Sequence, residues 1–431
     1  MCIRRNIMIE QKASNVRWIV FGIIFLLVVV NLIDRISLSI AIPTIAKEFD
    51  LSPTMQGVIL SSFFWAYALL QIPGGWLVDK YGPRKMITGS TLLWGIFQTL
   101  AAFSTGGISL LFSRFMLGAG EAPLFPAGGK LNATWLSSKE RGRGAVIMDC
   151  GGPLGAALGG IIIAYMIAIL GSWRLVFGII GVLTVLLGIV TWKYLRDNPQ
   201  EHKSVNEKEL HIILEEKNNE QVEANSVNES TATGLGIAIR SLVAILFGRA
   251  AWAMMFFGLL TWGPSYLAQA RGFDIKGVGN ATFIIFLCGS IGSLCGGFFS
   301  DSLIKRGIPQ RLAVKGILMV SGLSTLIAFS CLPSMNDPVI AIITLSIAAF
   351  FLMWGSLYWS FPALLAPKNK VGLIGGIMNM AGSIGGITVP ILVGYILQMS
   401  NDYNNVLVFF AGCSVVYILG TLAIQLSKNN K

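Results

Sequence analysis

Arg114 and Glu121 lie seven residues apart in Arg-Phe-Met-Leu-Gly-Ala-Gly-Glu, inside an apolar run long enough to cross a bilayer. At about 3.6 residues per turn both fall on one helix face, roughly 10 Å apart along its axis. A charge in mid-bilayer costs at least about 2.5–3.5 kcal/mol, so such side chains usually face one another or a watery cavity. A second charged pair, Asp34-Arg35, occupies another apolar run. Guanidinium forks match carboxylates and phosphates, which makes binding of an anion by Arg35 and Arg114 the leading chemistry. The competing reading is internal neutralisation by Asp34 or Glu121, an ion pair that only pins helices. The carboxyl groups add a second possibility. A neighbouring guanidinium favours the ionised carboxylate and an apolar setting the neutral acid, so an anion that takes over the arginine lets Asp34 or Glu121 take up a proton. That is the logic of symport; its competitor is a permanently ionised pair inert to pH.

These residues need a membrane scaffold, and the composition supplies one. The 431 residues are 54% hydrophobic and 12% charged, against roughly 25% charged in soluble domains, and mean hydropathy is +0.70. A helical span needs about 20 apolar residues. Twelve candidates occur, near 18–40, 56–78, 87–105, 108–132, 143–169, 173–195, 243–269, 279–300, 312–332, 338–362, 371–398 and 405–427. The net charge of +11 does not point to nucleic acid, because Lys and Arg concentrate in alternate loops, as the positive-inside rule requires. That pattern places the tail 1–17, the linker 196–242 and the tail 428–431 in the cytoplasm, flanking six-helix halves at 18–195 and 243–427. The first apolar run is too long for a signal-peptide core and reads as a retained span.

Several polar groups sit in or beside these spans. The second carries Ser62, Trp65, Tyr67 and Gln71; Tyr67 offers a hydroxyl to a ligand, or only packs. At its end, Gly75-Trp-Leu-Val-Asp79-Lys80-Tyr-Gly-Pro-Arg84 is echoed by Gly297-Phe-Phe-Ser-Asp301 after the eighth span. The same Gly-to-Asp spacing at the same place in each half indicates two related halves. The small glycine allows close helix approach, and Asp79 and Asp301, with basic neighbours such as Arg84 and Arg141, form candidate latches. Asp149, about 9 Å deep in the fifth span, and Lys130 in the fourth are expected to pair at gate level. Trp359 in the tenth span and Asn379 in the eleventh offer a ring face and an amide suited to a hydroxylated chain.

With these motifs the chain resembles the major facilitator superfamily, and within it the anion:cation symporter family. The resemblance is carried by the repeated Gly-x-x-x-Asp loop, Asp34-Arg35, the Gln71-Ile-Pro-Gly-Gly-Trp76 segment, the Arg114 to Glu121-Ala-Pro run and Lys139-Glu140-Arg141-Gly142, and it covers essentially all twelve spans. It implies an all-α membrane fold of twelve transmembrane helices in two pseudo-symmetric six-helix bundles, and proton-coupled uptake of sugar acids. It further implies that Asp34 and Glu121 couple protons, that Arg35 holds the substrate carboxylate, and that Arg114 pairs with Glu121. Tyr67, Trp359 and Asn379 match positions lining the pocket, with Ser356 and Tyr358 as neighbours. Two positions depart from the galactonate-type pattern: a Tyr two residues before Asp34 is Leu32, and a fifth-span Gln is Gly152. Both changes remove groups that read hydroxyls.

The remaining features are quieter. The six cysteines show no CxxC spacing, and five lie in apolar spans, so no disulfide framework is expected. The only histidines, His202 and His211, fall in the linker, so no histidine serves an intramembrane proton path. The linker's charges read as a solvated face, and Arg249 as a side chain snorkelling at the seventh span's edge. The expected protein is a monomeric carrier in the cell membrane, not an enzyme, with both termini cytoplasmic and without cofactor, metal or nucleic-acid partner. It imports an organic anion, a sugar acid of the aldonate, aldarate or uronate class, by proton symport with alternating access. The alternatives are a carrier of inorganic phosphate or another small anion, and a non-transporting sensor of the same fold.

Overall fold

The computed structural model describes residues 12–137, 140–214, 238–365 and 371–425, apart from the side chains of residues 142, 149, 363 and 371–373. No strand occurs among them. The long helices are α1 (Val16–Glu48), α2 (Pro53–Tyr81), α3 (Pro83–Ala101), α4 (Gly107–Trp135), α5 (Arg141–Leu170), α6 (Trp173–Tyr194), α7 (Ile239–Gln269), α8 (Ile275–Lys305), α9 (Gln310–Cys331), α10 (Pro338–Pro362), α11 (Val371–Ser400) and α12 (Tyr403–Ala423). Eleven are long and apolar enough to cross a membrane. The twelfth, α3, is diluted by Arg84, Lys85, Thr88, Ser90, Thr91, Gln98 and Thr99 within its 19 residues, yet still rises about 28 Å at 1.5 Å per residue. Starts are marked by caps: Ser52, Ser172, Asp274, Asp337 and Asp402 accept backbone N–H groups of the first turns of α2, α6, α8, α10 and α12, as orphan donors there require.

The two halves pack alike. In the first, α1 lies against α5, α2 against α4 and α3 against α6; in the second, α7 lies against α11, α8 against α10 and α9 against α12. Each pairing recurs six helices later. The bundles meet along α2–α11 and α5–α8. Side-chain staples hold each bundle's ends. In the first, Arg174 bonds Glu48 (2.5 Å) and the Ser104 carbonyl (3.1 Å), while Trp173 Nε1 donates to Glu48 (2.8 Å). In the second, Arg271 bonds the Tyr266 hydroxyl (2.7 Å) and the Leu332 and Met335 carbonyls.

The linker is less solvated than its charges suggest. Glu209, in a short helix over 207–214, is fully buried. Its carboxylate accepts from Ser14 Oγ (2.5 Å), the N–H groups of Val16 (3.2 Å) and Arg17 (3.0 Å), and the Arg17 guanidinium (2.9 Å). Arg17 also pairs with Glu140 of the α4–α5 loop (3.0 Å). The expectation of a wholly solvated face fails here because Glu209 caps the start of α1, where a carboxylate meets orphan N–H groups and the positive end of the helix dipole.

Candidate functional site

The site is built where α4 breaks. Its α-helix runs over Gly107–Glu121 and resumes over Leu124–Trp135, because Pro123 lacks the N–H that would continue the ladder. Glu121, at the break, is fully buried. Arg35 of α1 donates from Nε to Glu121 Oε2 (3.1 Å), and its guanidinium lies over the rings of Phe63 (4.4 Å) and Tyr67 (4.7 Å), one turn apart on α2. Such cation–π contacts strengthen when desolvated.

Arg114 reaches the same level by another route. Its guanidinium donates to Gln98 Oε1 (3.0 Å), to the Asp34 carbonyl (3.0 Å) and, weakly, to the Arg35 carbonyl (3.5 Å). The expected Arg114–Glu121 pair is therefore replaced by Arg35–Glu121. Arg114 is 2% exposed and braces the backbone of α1 beside the two charged residues; it lies outside the main cavity's lining and borders a small cavity with Arg35. Asp34 is fully buried, with Arg114, Glu121 and Trp94 as neighbours. Trp94 is the polar neighbour of Asp34 and Asn31 that of Glu121, but neither Asp34 oxygen, nor Glu121 Oε1, nor the Asn31 amide makes a well-formed hydrogen bond among the described residues. Buried polar groups are seldom left so.

In front of Arg35 lies a central cavity of about 330 Å³. From the first bundle it is walled by Leu32, Arg35, Phe64, Tyr67, Gln71 and Gly152, and from the second by Arg249, Trp252, Ser356, Trp359 and Asn379. Asn379 Nδ2 donates to Gln71 Oε1 (2.9 Å), joining the bundles across it. Phe125, Ser293, Ser356 and Trp359 also border a second space of about 630 Å³, bounded by Gly129, Asn132 and Asp301 at the linker-side ends of α4 and α8. The cavity thus opens toward the side that carries the linker. On the far side the bundles are in close contact: Ser61 Oγ donates to the Ile387 carbonyl (2.5 Å), and a Cβ on Gly57 would lie 2.3 Å from the Pro390 carbonyl oxygen.

Of the expected pocket residues, Tyr67, Ser356, Trp359 and Asn379 line the cavity and Tyr358 does not. The reason is local. From Met353 to Trp359, α10 tightens to a 3-10 helix, whose three residues per turn put Ser356 and Trp359 on one face and Tyr358 on another. Tyr358 is fully buried and bonds Thr421 Oγ1 (2.8 Å). Trp252 fixes this segment, donating to the Leu352 carbonyl (2.6 Å); a Cβ on Gly355 would lie 2.1 Å from its indole.

Arg249 corrects the snorkelling expectation. Helix α7 begins at Ile239, which puts Arg249 about 15 Å along the helix. It is 8% exposed, stacked on Trp252 (4.1 Å) and near Trp359 (5.5 Å). A charge ten residues into a helix was the available signal, hidden because the apolar run starts only at 243.

The proposed latches are differently wired. Lys130 pairs with Asp79 (3.0 Å) and bonds the Val78 carbonyl (3.2 Å); the expected pair with Asp149 falls on a side chain outside the described residues. Arg84 turns away from Asp79: its guanidinium bonds the Trp192 carbonyl (2.8 Å) and covers the Trp192 ring (4.1 Å), while its backbone N–H donates to Asp197 Oδ1 (2.7 Å). The Arg141 carbonyl accepts from Asn132 Nδ2 (3.0 Å). Asp301 is exposed at the cavity mouth.

The comparisons with known proteins fit this architecture. A bacterial homologue of the human lysosomal transporter Spinster, inward-facing and unoccupied, superposes with TM-score 0.69 at 17% identity, covering 96% of this chain and 95% of that one. A point mutant of the nucleoside transporter NupG does so with TM-score 0.66 at 15% identity, covering 94% of this chain and 99% of that one. In sequence, the chain is 35% identical over 422 residues, 94% of each chain, to GarP of Escherichia coli (strain K12), described as a probable galactarate/D-glucarate transporter. It is 30% identical to a D-galactonate transporter of Escherichia coli O6:H1, covering 96% and 95% of the two chains. A hexuronate transporter of Bacillus subtilis (strain 168) is also 30% identical, at 93% and 92% coverage. The Major Facilitator Superfamily model matches residues 24–390, and a chain of paired six-helix bundles around a central cavity that also matches this model over most of its length belongs to the major facilitator superfamily.

Proposed function

We propose that this protein imports a sugar acid by proton symport with alternating access. The observation that carries the reading is the position of Arg35: its guanidinium forms part of the cavity wall, and Glu121 sits behind it at 3.1 Å. A carboxylate entering the cavity competes with Glu121 for the same donor. Once released from the pair, Glu121 is a buried anion, which a low-dielectric setting strongly disfavours, and it takes up a proton; Asp34, enclosed beside it, shares this duty. The linker side is the cytoplasm in this reading, and the cavity is in its inward-open state. The protein works as a monomer in the cell membrane.

Within the sugar acids, the walls favour an aldarate, a chain with a carboxylate at each end. Arg35 on α1 and Arg249 on α7 face the cavity from the two bundles, one guanidinium for each carboxylate. Gly152, whose Cβ position is open space, and Leu32 offer fewer polar groups than the galactonate-type pattern. The relatives named for galactarate and D-glucarate support this choice. The test is uptake of labelled aldarates, aldonates, uronates and phosphate into proteoliposomes under an imposed pH gradient. Accumulation of aldarates above equilibrium, abolished by a protonophore, is the expected result. Uptake of phosphate alone would replace the reading by that of an inorganic-anion carrier.

A further inference from the structure

Gln71 carries no role in the reading above, yet its position is specific. It lies one helical turn beyond Tyr67 on α2, so the two share a face, and Tyr67 holds the Arg35 guanidinium at 4.7 Å. One turn beyond Tyr67, the first bundle's wall carries the Gln71 amide, bonded to Asn379 of the second bundle at 2.9 Å. The bond uses one acceptor of Gln71 and one donor of Asn379. The Gln71 NH2 and the Asn379 carbonyl oxygen remain, a donor and an acceptor on two bonded residues that both line the cavity. That is the complement of a hydroxyl group, which accepts and donates at once.

We infer that Gln71 is a specificity-determining residue: paired with Asn379 across the bundle interface, it reads the hydroxylated carbon chain of the substrate while Arg35 holds a terminal carboxylate. The inference rests on the sugar-acid reading and deepens it. Because the pair spans both bundles, a polyhydroxy chain is recognised only where the two amides stand together, so hydroxyl recognition and the approach of the bundles are one event. A chain of the same length and charge without hydroxyls engages the arginines and leaves the amides bonded to each other.

The experiment compares two six-carbon dicarboxylates, a hexarate and adipate, as competitors of labelled hexarate binding to the full-length protein in detergent and in proteoliposomes. Wild type should bind hexarate at least about tenfold more tightly than adipate, the size expected for one or two hydrogen bonds. In Gln71→Leu the hexarate affinity should fall about tenfold and adipate affinity should not change, which also shows that the variant is folded. Asn379→Leu should do the same, and the double variant should lose no more than either single one, since both remove one shared device. Equal losses for both ligands in Gln71→Leu, or no loss for either, would overturn the inference while leaving sugar-acid transport standing. A wild type that binds neither hexarate nor any other sugar acid would overturn both.

Discussion

Arg35 Nε and Glu121 Oε2 stand 3.1 Å apart, bridging 86 residues of sequence, with the arginine on the cavity wall and the carboxylate sealed behind it. If the ligand and the proton trade places on this pair, its two members fail differently. Glu121→Gln keeps the shape and lets Arg35 bind a carboxylate, so labelled substrate should still exchange across the membrane, but a pH gradient should no longer drive accumulation. Arg35→Ala should lose both, with binding weakened at least about thirtyfold, from the 2–5 kcal/mol typical of truncating one partner of a buried charge pair. Undiminished accumulation by Glu121→Gln would remove it from coupling.

Arg249 permits a test of which acids fit. It is held on Trp252 at 4.1 Å and lines the cavity from the second bundle, as Arg35 does from the first; in the proposed reading it meets the carboxylate that Arg35 does not hold. Arg249→Gln should weaken an aldarate at least about tenfold, as expected for loss of a charge-assisted hydrogen bond, and leave an aldonate, with its single carboxylate, nearly unaffected. Competition binding with six-carbon acids of both kinds reads this directly. An equal effect on both would restrict Arg249 to shaping the wall.

The far-side closure depends on Gly57. A Cβ there would lie 2.3 Å from the Pro390 carbonyl oxygen, and a backbone atom cannot yield as a flexible side chain would. Gly57→Val should therefore hold α2 and α11 apart, favouring a far-side-open protein that still binds substrate but does not carry it through. Spin labels at Thr105 and Asn404, on the far-side ends of the two bundles, should move apart in this variant relative to wild type. Unchanged distances with normal uptake would show that the contact is dispensable.

The sequence disclosed this site unevenly, and the reasons are physical. A charge inside an apolar run has few places to go, so Arg35, Arg114 and Glu121 could be read from the sequence as members of one buried group. Depth alone cannot choose partners. Arg114 bonds Gln98 and the α1 backbone in place of the expected Glu121, and Lys130 takes Asp79, because the break at Pro123 and the angle between helices decide which side chains meet. Tyr358 leaves the pocket because the chain runs there as a 3-10 helix, which α-helical spacing cannot anticipate. Arg249 was hidden by a helix that starts four residues before its apolar run, and Glu209 by a cap formed between segments almost two hundred residues apart.

The linker should respond to acid through His202. Its ring lies between Tyr194 (4.9 Å between centroids) and Trp135 (5.9 Å), and its Nδ1 accepts from the Ser204 N–H (3.2 Å). Burial, and then the positive charge of Arg196, lower its pKa below the ordinary histidine value. A histidine lowered in the folded state binds fewer protons there than when released, so attachment strengthens as pH rises. The stability it contributes is present above roughly pH 6.5, the unperturbed value, and is lost as pH falls below it. Limited proteolysis of the linker should accordingly accelerate between pH 7 and pH 5.5, roughly the window set by that value. His202→Phe, which keeps the ring contacts without the proton, should flatten that dependence. Glu209→Ala should raise the cleavage rate at every pH by releasing the cap on α1, and it should leave the pH dependence in place. A wild-type rate that does not change with pH would show that the His202 contacts do not hold the linker.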